Sequence, residues 1–290
     1  MNLKAQQPPL TIEEQIRNLE SIGLLIPDED VAKKFLNNVS YFRLVKAYSL
    51  DLKSKNGNYY KNVSFDNIVN LYSFDVRFRQ LIFPLIEGIE IGLRCQLANY
   101  FSSKYGVLGY EEPGNFNNTY YHSIFIDDVR VEIDRNKKAP FVKNFSENYS
   151  GRKIPLYALV ELFSFGTLSK FFKNMKNLDK KAVATSFGIG YTYFESWIES
   201  IAYVRNICAH YGRLYNARLS KKPALYAQYS GYGVENDRVF SIMVCIKHII
   251  PNDGAWHEFV ETVNLLLEQY PVVEMSKIGF IPEWKDILLS

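Results

Sequence analysis

The chain has 290 residues, of which 47% are hydrophobic, so it is long enough to bury a substantial core without disulfide bonds or metal ions. Its 34 basic and 31 acidic residues give a net charge of +3, which is too small for the whole surface to act as a nucleic-acid-binding surface. Any RNA site must therefore come from local clustering. The 20 Phe and 21 Tyr residues are expected mainly to pack in the core.

The three cysteines are odd in number and far apart, which indicates reduced thiols rather than a disulfide framework or a zinc site. The N-terminal sequence MNLKAQQPPLTIEEQ lacks the apolar stretch of a secretory signal. The strongest apolar stretch, from Leu81 to Leu93, is too short to cross a membrane and contains Glu87 and Glu90. The sequence therefore predicts a soluble, cytoplasmic protein with no membrane, metal or small-molecule cofactor partner.

Apolar residues recur at helical spacing along most of the chain, which predicts an all-α fold. Thr11 and Glu14 have the spacing of a capping box and predict the start of a first helix. A second helix is predicted from residue 27 or 28 through the sequence SYFRLVKAYSLDL, followed by a turn or a short hairpin at Asn56 and Gly57.

A long helix is predicted from Ser64 to Tyr105, and Pro84 is expected to kink it or to split it in two. Its basic residues lie close to acidic ones, so ion pairing explains them more simply than RNA binding does. The residues concerned are Arg77, Arg79 and Arg94, beside Asp75, Glu87 and Glu90.

Further helices are predicted around residues 123–136, from Ile154 onward, and over about 236–250 and 255–269, with an irregular tail. The run YALVELFSF predicts a buried element, in which Glu161 would need a basic partner from another helix. We expect one domain over residues 1–290. It comprises a core over approximately 64–218, an N-terminal helical extension over 10–63 and a C-terminal helical extension over 219–290.

The segment from Thr192 to about Leu214 is predicted as a single helix that contains the sequence RNICAH. Asn206 and His210 are four residues apart and share a helix face, whereas Arg205 points about 140° away from His210. One helix therefore cannot aim Arg205 and His210 at the same phosphate. Two copies that face each other across a symmetric interface could do so, which predicts a homodimer with a composite site.

These residue types suit RNA cleavage by attack of the ribose 2′-hydroxyl on the neighbouring phosphorus, a reaction that needs no metal. Histidine can take or give a proton near neutral pH, which contributes roughly 10²- to 10⁴-fold to the rate. Arginine supplies a permanent charge and a planar fork that matches phosphate oxygens. Asparagine can hydrogen-bond the phosphate or fix the imidazole.

The sequence RNICAHYGRLYNARL resembles the signature of the Abi-like (abortive infection) proteins, a prokaryotic anti-phage group within the HEPN superfamily. Other segments resemble that family in the same order along the chain: SYFRLVKAY, FDVRFRQLIFPLIEGIEIGLRCQLANYF, PLYALVELFSFGTLSKFF and IGFIPEWKDIL. The resemblance implies a multi-helix HEPN-type bundle with additional N- and C-terminal helices. It also implies an RNA substrate and catalysis by Arg205, Asn206 and His210.

The same resemblance implies a toxic effector of abortive infection or of a toxin–antitoxin system, restrained by a partner RNA or protein. A small noncoding RNA is the favoured restraint. Two other functions remain open, an inactive HEPN RNA-binding module and a helical interaction scaffold.

Six residues near the motif or in the N-terminal family segment are candidates for RNA binding. Arg213 and Arg218 could bind phosphates, and they fit equally well as caps of the helix C-terminus. Tyr211 and Tyr215 could stack on bases, although packing is the commoner role of such rings. Arg43 and Lys46 are the two candidates from the N-terminal segment.

Overall fold

The computed structural model describes residues 8–251 and 253–290. Within these ranges the chain forms α-helices, short 3₁₀-helices and one π-helix, with isolated bridges and no β-strand. The predicted all-α fold is confirmed. Residues 1–7, which belong to the segment where no secretory signal is expected, and Asn252, in the predicted break before the helix at about 255, lie outside the described residues.

The described ranges contain thirteen α-helices. They are α1 (Ile12–Ser21), α2 (Glu29–Asn38), α3 (Phe65–Tyr105), α4 (Thr119–Arg135), α5 (Pro140–Asn148), α6 (Leu156–Leu159), α7 (Phe165–Asn174), α8 (Asn177–Thr185), α9 (Tyr191–Ala209), α10 (Ala227–Gly231), α11 (Val239–Ile249), α12 (Gly254–Gln269) and α13 (Trp284–Leu289). The last of these lies in the tail that the sequence predicts to be irregular.

The N-terminal elements confirm one prediction and correct another. The capping box at α1 is present: the Thr11 hydroxyl accepts the Glu14 amide at 3.2 Å, and the Glu14 carboxylate accepts the Thr11 amide at 2.8 Å. The predicted second helix is too long, because α2 ends at Asn38 and Val39 is extended. The chain resumes as a π-helix over Phe42–Lys46, then as a 3₁₀-helix over Leu50–Leu52.

The long helix α3 is central, and α6, α7, α9, α11 and α12 all pack against it. Pro84 lies inside α3 without splitting it, which corrects one of the two predicted outcomes. The residues Ile82 and Ile86 on either side are fully buried, so packing holds the helix together where Pro84 removes one backbone donor. The expected pairing of basic with acidic residues is found within α3 for Arg79 with Asp75 and for Arg94 with Glu90. Arg77 instead donates to the Gln269 side chain at 2.7 Å.

The apolar run YALVELFSF forms two elements rather than one. It begins in α6, continues as a 3₁₀-helix over Val160–Leu162, and reaches the N-cap of α7 at Ser164, whose hydroxyl accepts the Thr167 amide at 3.1 Å. Glu161 is exposed, so the expectation that it is buried and needs a partner is wrong.

Buried apolar residues from Ile16 to Leu288 form one cluster. In α9 the predicted buried stripe is confirmed, since its members all lie in this cluster: Phe194, Trp197, Ile198, Ile201, Val204 and Cys208. Among the helices of the described ranges, none is long and apolar enough to cross a membrane.

One fully buried carboxylate joins α3 to two other parts of the chain. Asp75 accepts hydrogen bonds from the Tyr48 hydroxyl at 2.6 Å and from the Arg79 guanidinium at 2.7 Å. It also accepts the backbone amides of Leu214 at 3.1 Å and Tyr215 at 2.8 Å, which follow α9. Burial raises the pKa of Asp75, while Arg79 and the other donors favour its charged form. The carboxylate thus fixes the chain directly after the candidate motif.

We expect Asp75→Asn to lower the free energy of unfolding by about 3–5 kcal/mol, because it leaves Arg79 buried without its counter-charge. The amide would also direct N–H groups toward donors. Urea denaturation followed by circular dichroism measures the effect. The matched control is Asp127→Asn, which breaks an exposed pair with Arg130 and should cost no more than about 1 kcal/mol. Equal losses in the two variants would contradict the role assigned to Asp75.

Candidate active site

The helix that carries the RNICAH motif ends at the motif's histidine. His210 is the C-cap of α9, and Tyr211 adopts the left-handed conformation with φ of 57°. The Tyr211 amide donates to Cys208 O at 3.1 Å, and the Gly212 amide donates to Ile207 O at 2.7 Å. These two bonds form a Schellman motif, which terminates a helix. The prediction of a helix that continues to Leu214 is therefore wrong.

Asn206 and His210 are both exposed at this end of α9. The His210 amide donates to Asn206 O at 3.0 Å, so the two residues lie one helical turn apart, as their spacing predicts. Neither side chain hydrogen-bonds to another group in the described part of the chain. The imidazole and the amide are therefore both open to a ligand from solvent.

Arg205 turns toward α3 instead. Its Nε donates to Glu90 Oε2 at 3.2 Å, and the other oxygen of this buried carboxylate accepts from Arg94 at 3.0 Å. The guanidinium also lies 5.9 Å from the centre of the Phe83 ring. Within residues 8–251 and 253–290 the two η nitrogens have no protein acceptor. Glu90 thus binds Nε of the guanidinium and leaves its two terminal η nitrogens available for an anion.

The N-terminal π-helix lies beside the turn that follows α9. The Arg43 guanidinium donates to Tyr211 O at 2.6 Å, and the Arg213 guanidinium donates to Ala47 O at 2.7 Å. Arg79 donates to Gly212 O at 2.9 Å from the α3 side. Three guanidinium groups therefore tie this turn and the N-terminal segment together, so two segments that are far apart in sequence form one surface.

The candidate RNA-binding residues do not all lie on this surface. Arg43 and Lys46 are exposed, and Tyr211 is 71% exposed next to His210. Arg213 is half-buried and already bonded to Ala47 O, which gives it a structural role in addition to any role in RNA binding.

Tyr215 and Arg218 are placed differently. Tyr215 is buried, its ring packs edge-on against Phe74 at 6.5 Å, and burial raises its pKa to about 12. The predicted stacking of Tyr215 on a base therefore conflicts with its place in the core. Arg218 is exposed and forms ion pairs with Glu235 and Asp237, which compete with any phosphate.

Two features of this surface are not among the predictions made from the sequence. Phe42 is 79% exposed in the π-helix, directly before Arg43. The segments that meet here also lack acidic residues, since residues 31–50 and 201–234 contain no Asp or Glu. Of their nine Lys and Arg residues, five pair with carboxylates from outside these segments: Lys33, Arg205, Arg218, Lys221 and Lys222. Counting charge by segment would have revealed the local clustering that the net charge conceals.

The chemistry that the arrangement supports follows from three kinds of group. The exposed imidazole can take or give a proton. The exposed amide and the guanidinium, which Glu90 binds through Nε, can bind phosphate oxygens. In the part of the chain that the structure describes, no three His, Cys, Asp or Glu side chains are arranged to hold a metal ion.

A comparison with protein families finds a match to the family described as Abi-like protein, over residues 34–216. This range covers more than half of the chain and includes the π-helix as well as Arg205 and His210. Searches of curated proteins and of solved structures found no match.

The left-handed backbone at Tyr211 predicts that Tyr211→Gly stabilises the turn. Glycine adopts this conformation without the steric cost that a Cβ brings, so we expect a gain of about 1 kcal/mol in the free energy of unfolding. Thermal denaturation should show it as a rise in Tm of about 2–4 °C. Gly233→Ala, at an open position with φ of 82°, is the opposite control and should destabilise. A loss of stability in Tyr211→Gly would mean that the tyrosine ring packs against the protein in solution.

Proposed function

The chain belongs to the Abi-like family, and on that premise we propose that it is a metal-independent endoribonuclease of the HEPN type. Family membership implies a role in abortive-infection defence; cleavage of RNA is the activity that the candidate site supports best. The proposal rests on the exposed side chains of Asn206 and His210 at the end of α9, beside exposed basic residues. Arg205, in the same motif, is bound to Glu90 only through Nε, so its two η nitrogens are available for a phosphate. In this role the protein acts as the effector of an anti-phage or toxin–antitoxin system.

The reaction assigns one task to each residue. His210 takes the proton from a ribose 2′-hydroxyl, the 2′ oxygen attacks phosphorus, and the bond from phosphorus to the 5′ oxygen breaks. The 5′ oxygen leaves and takes a proton from water. Arg205 balances the charge that develops on the phosphate, and Asn206 hydrogen-bonds the phosphate or the imidazole. The products are a 2′,3′-cyclic phosphate and a 5′-hydroxyl.

A homodimer completes the site in this proposal. Arg205 is bonded to Glu90 on the α3 side, whereas His210 lies at the exposed end of α9, so the two side chains of one chain start from different sides of the helix. On α3 the exposed residues Pro84, Gly88 and Ile91 form a strip next to Phe83 and Glu90, the residues that contact Arg205. A second copy packed on this strip would bring both copies of the site to one axis.

Restraint is part of the proposed function, because an unregulated ribonuclease would damage the cell that makes it. We favour a small noncoding RNA as the restraint. The exposed basic residues Arg43 and Lys46, which form no ion pair within the described part of the chain, would bind its phosphates, and such binding weakens as salt rises. An antitoxin protein is the alternative partner.

The direct test is RNA cleavage in EDTA by wild-type protein and by His210→Ala. Loss of the imidazole should lower the cleavage rate by roughly 10²- to 10⁴-fold, since no other group supplies general base catalysis there. The products should carry 2′,3′-cyclic phosphate ends. His257→Ala, which changes an exposed histidine on α12, is the matched control and should cleave like wild type.

The other outcomes separate the competing functions. RNA that copurifies with wild type and with His210→Ala, without cleavage by either, indicates an RNA-binding module. Absence of both cleavage and bound RNA indicates a helical scaffold. Cleavage that is abolished by EDTA, or that is equal in the two proteins, would contradict the proposed mechanism.

A further inference from the structure

Two exposed aromatic rings lie in the segments that meet at the end of α9. Phe42 is 79% exposed and Tyr211 is 71% exposed. The backbone that carries them is well held, since Arg43, the residue after Phe42, donates to Tyr211 O at 2.6 Å. Leu44 and Val45, in the same π-helix as Phe42, are fully buried. The rings are therefore presented from a fixed backbone.

Neither aromatic residue is at a position that the stability of the fold alone favours. An exposed phenylalanine forgoes the burial that makes aromatic residues favourable in a core, and Leu44 and Val45 show that burial is available to this segment. Tyr211 occupies a left-handed position that glycine fills at lower cost. Strain and exposure retained next to a candidate catalytic residue point to a ligand that uses the rings.

The charges around the rings indicate which class of ligand this surface binds. Arg43 and Lys46 are exposed in the same π-helix as Phe42, and the segments 31–50 and 201–234 that supply both rings contain no acidic residue. Aromatic faces combined with a cationic surface are how proteins bind single-stranded nucleic acid, because unpaired bases stack on the rings while the cations bind phosphates. A base within a duplex cannot stack in this way.

We propose that Phe42 and Tyr211 form a stacking platform for unpaired bases on either side of the cleaved phosphate, so that the site takes single-stranded RNA and not duplex. This inference rests on the proposed function for its location, since it places the platform next to His210. It adds Phe42, which the motif does not contain, as a residue that determines which RNA is bound.

Binding measurements test the platform separately from catalysis. The full chain carrying His210→Ala is titrated into a fluorescein-labelled, unstructured 15-nucleotide RNA, and into the same RNA annealed to its complement, with fluorescence anisotropy as the readout. We expect the single strand to bind more tightly than the duplex. Phe42→Ala and Tyr211→Gly, each added to His210→Ala, should weaken single-strand binding by about 5- to 150-fold.

Three variants in the same background distinguish stacking from other roles. Phe42→Trp keeps a ring and should retain binding, whereas Phe42→Leu keeps apolar bulk without a ring and should not. Tyr120→Ala removes an exposed ring on α4, 68% exposed, and should leave binding unchanged. Lys46→Ala should reduce the salt dependence of binding, while Phe42→Ala should lower the affinity without changing that dependence.

The results also separate this inference from the proposed function. Ring-dependent binding of single-stranded RNA by a protein that does not cleave RNA would support the platform and contradict the nuclease. Equal binding of duplex and single strand, or ring variants that bind like their parent, would overturn the platform even if wild type cleaves RNA. Absence of RNA binding together with absence of cleavage by wild type would overturn both. Loss of binding only because Phe42→Ala dissociates a dimer, as seen by sedimentation, would assign Phe42 to the subunit interface instead.

Discussion

The position of the candidate site depends on the buried carboxylate of Asp75. It binds Tyr48 from the N-terminal segment, Arg79 from its own helix, and the amides of Leu214 and Tyr215 just after the motif. A buried charge is tolerated only where enough donors surround it, so these four partners are constrained together. The consequence is that the chain must leave α9 immediately after His210 and turn back toward α3. That turn is what exposes the imidazole at a helix end beside the N-terminal π-helix.

A second buried carboxylate, Glu90, has a comparable effect on the arginine of the motif. It accepts a hydrogen bond from Nε of Arg205 and leaves the two η nitrogens of that guanidinium available, while its other oxygen accepts from Arg94. A preorganised charge of this kind stabilises a developing phosphate charge better than a mobile one. Asp75 and Glu90 both lie on α3, so one long helix orients the two ends of the RNICAH motif: the end with Arg205 through Glu90, and the end with His210 through Asp75.

Local signals explain what the sequence predicts well. The capping box at Thr11, the buried stripe of α9 and the pairs Arg79–Asp75 and Arg94–Glu90 follow from spacing alone. The end of α9 was misplaced because the helical pattern continues to Leu214, whereas a contact 139 residues away, from Asp75 to the Leu214 amide, competes with the helix. Gly212 is the residue type that usually ends a helix, but the residue with the left-handed conformation here is Tyr211, one position earlier. The burial of Tyr215 and the exposure of Phe42 depend on tertiary packing, which no local pattern encodes.

In the proposed composite site, Arg205 of one chain and His210 of another act on the same phosphate. This arrangement is tested most directly by a heterodimer of Arg205→Ala and His210→Ala, prepared with two affinity tags and assayed for RNA cleavage in EDTA. Such a dimer contains one composite site with both residues intact and one with neither, so we predict about half the activity of the wild-type dimer. Each homodimeric variant should be inactive. A heterodimer as inactive as its parents would show that both residues must come from one chain, which would contradict the composite site.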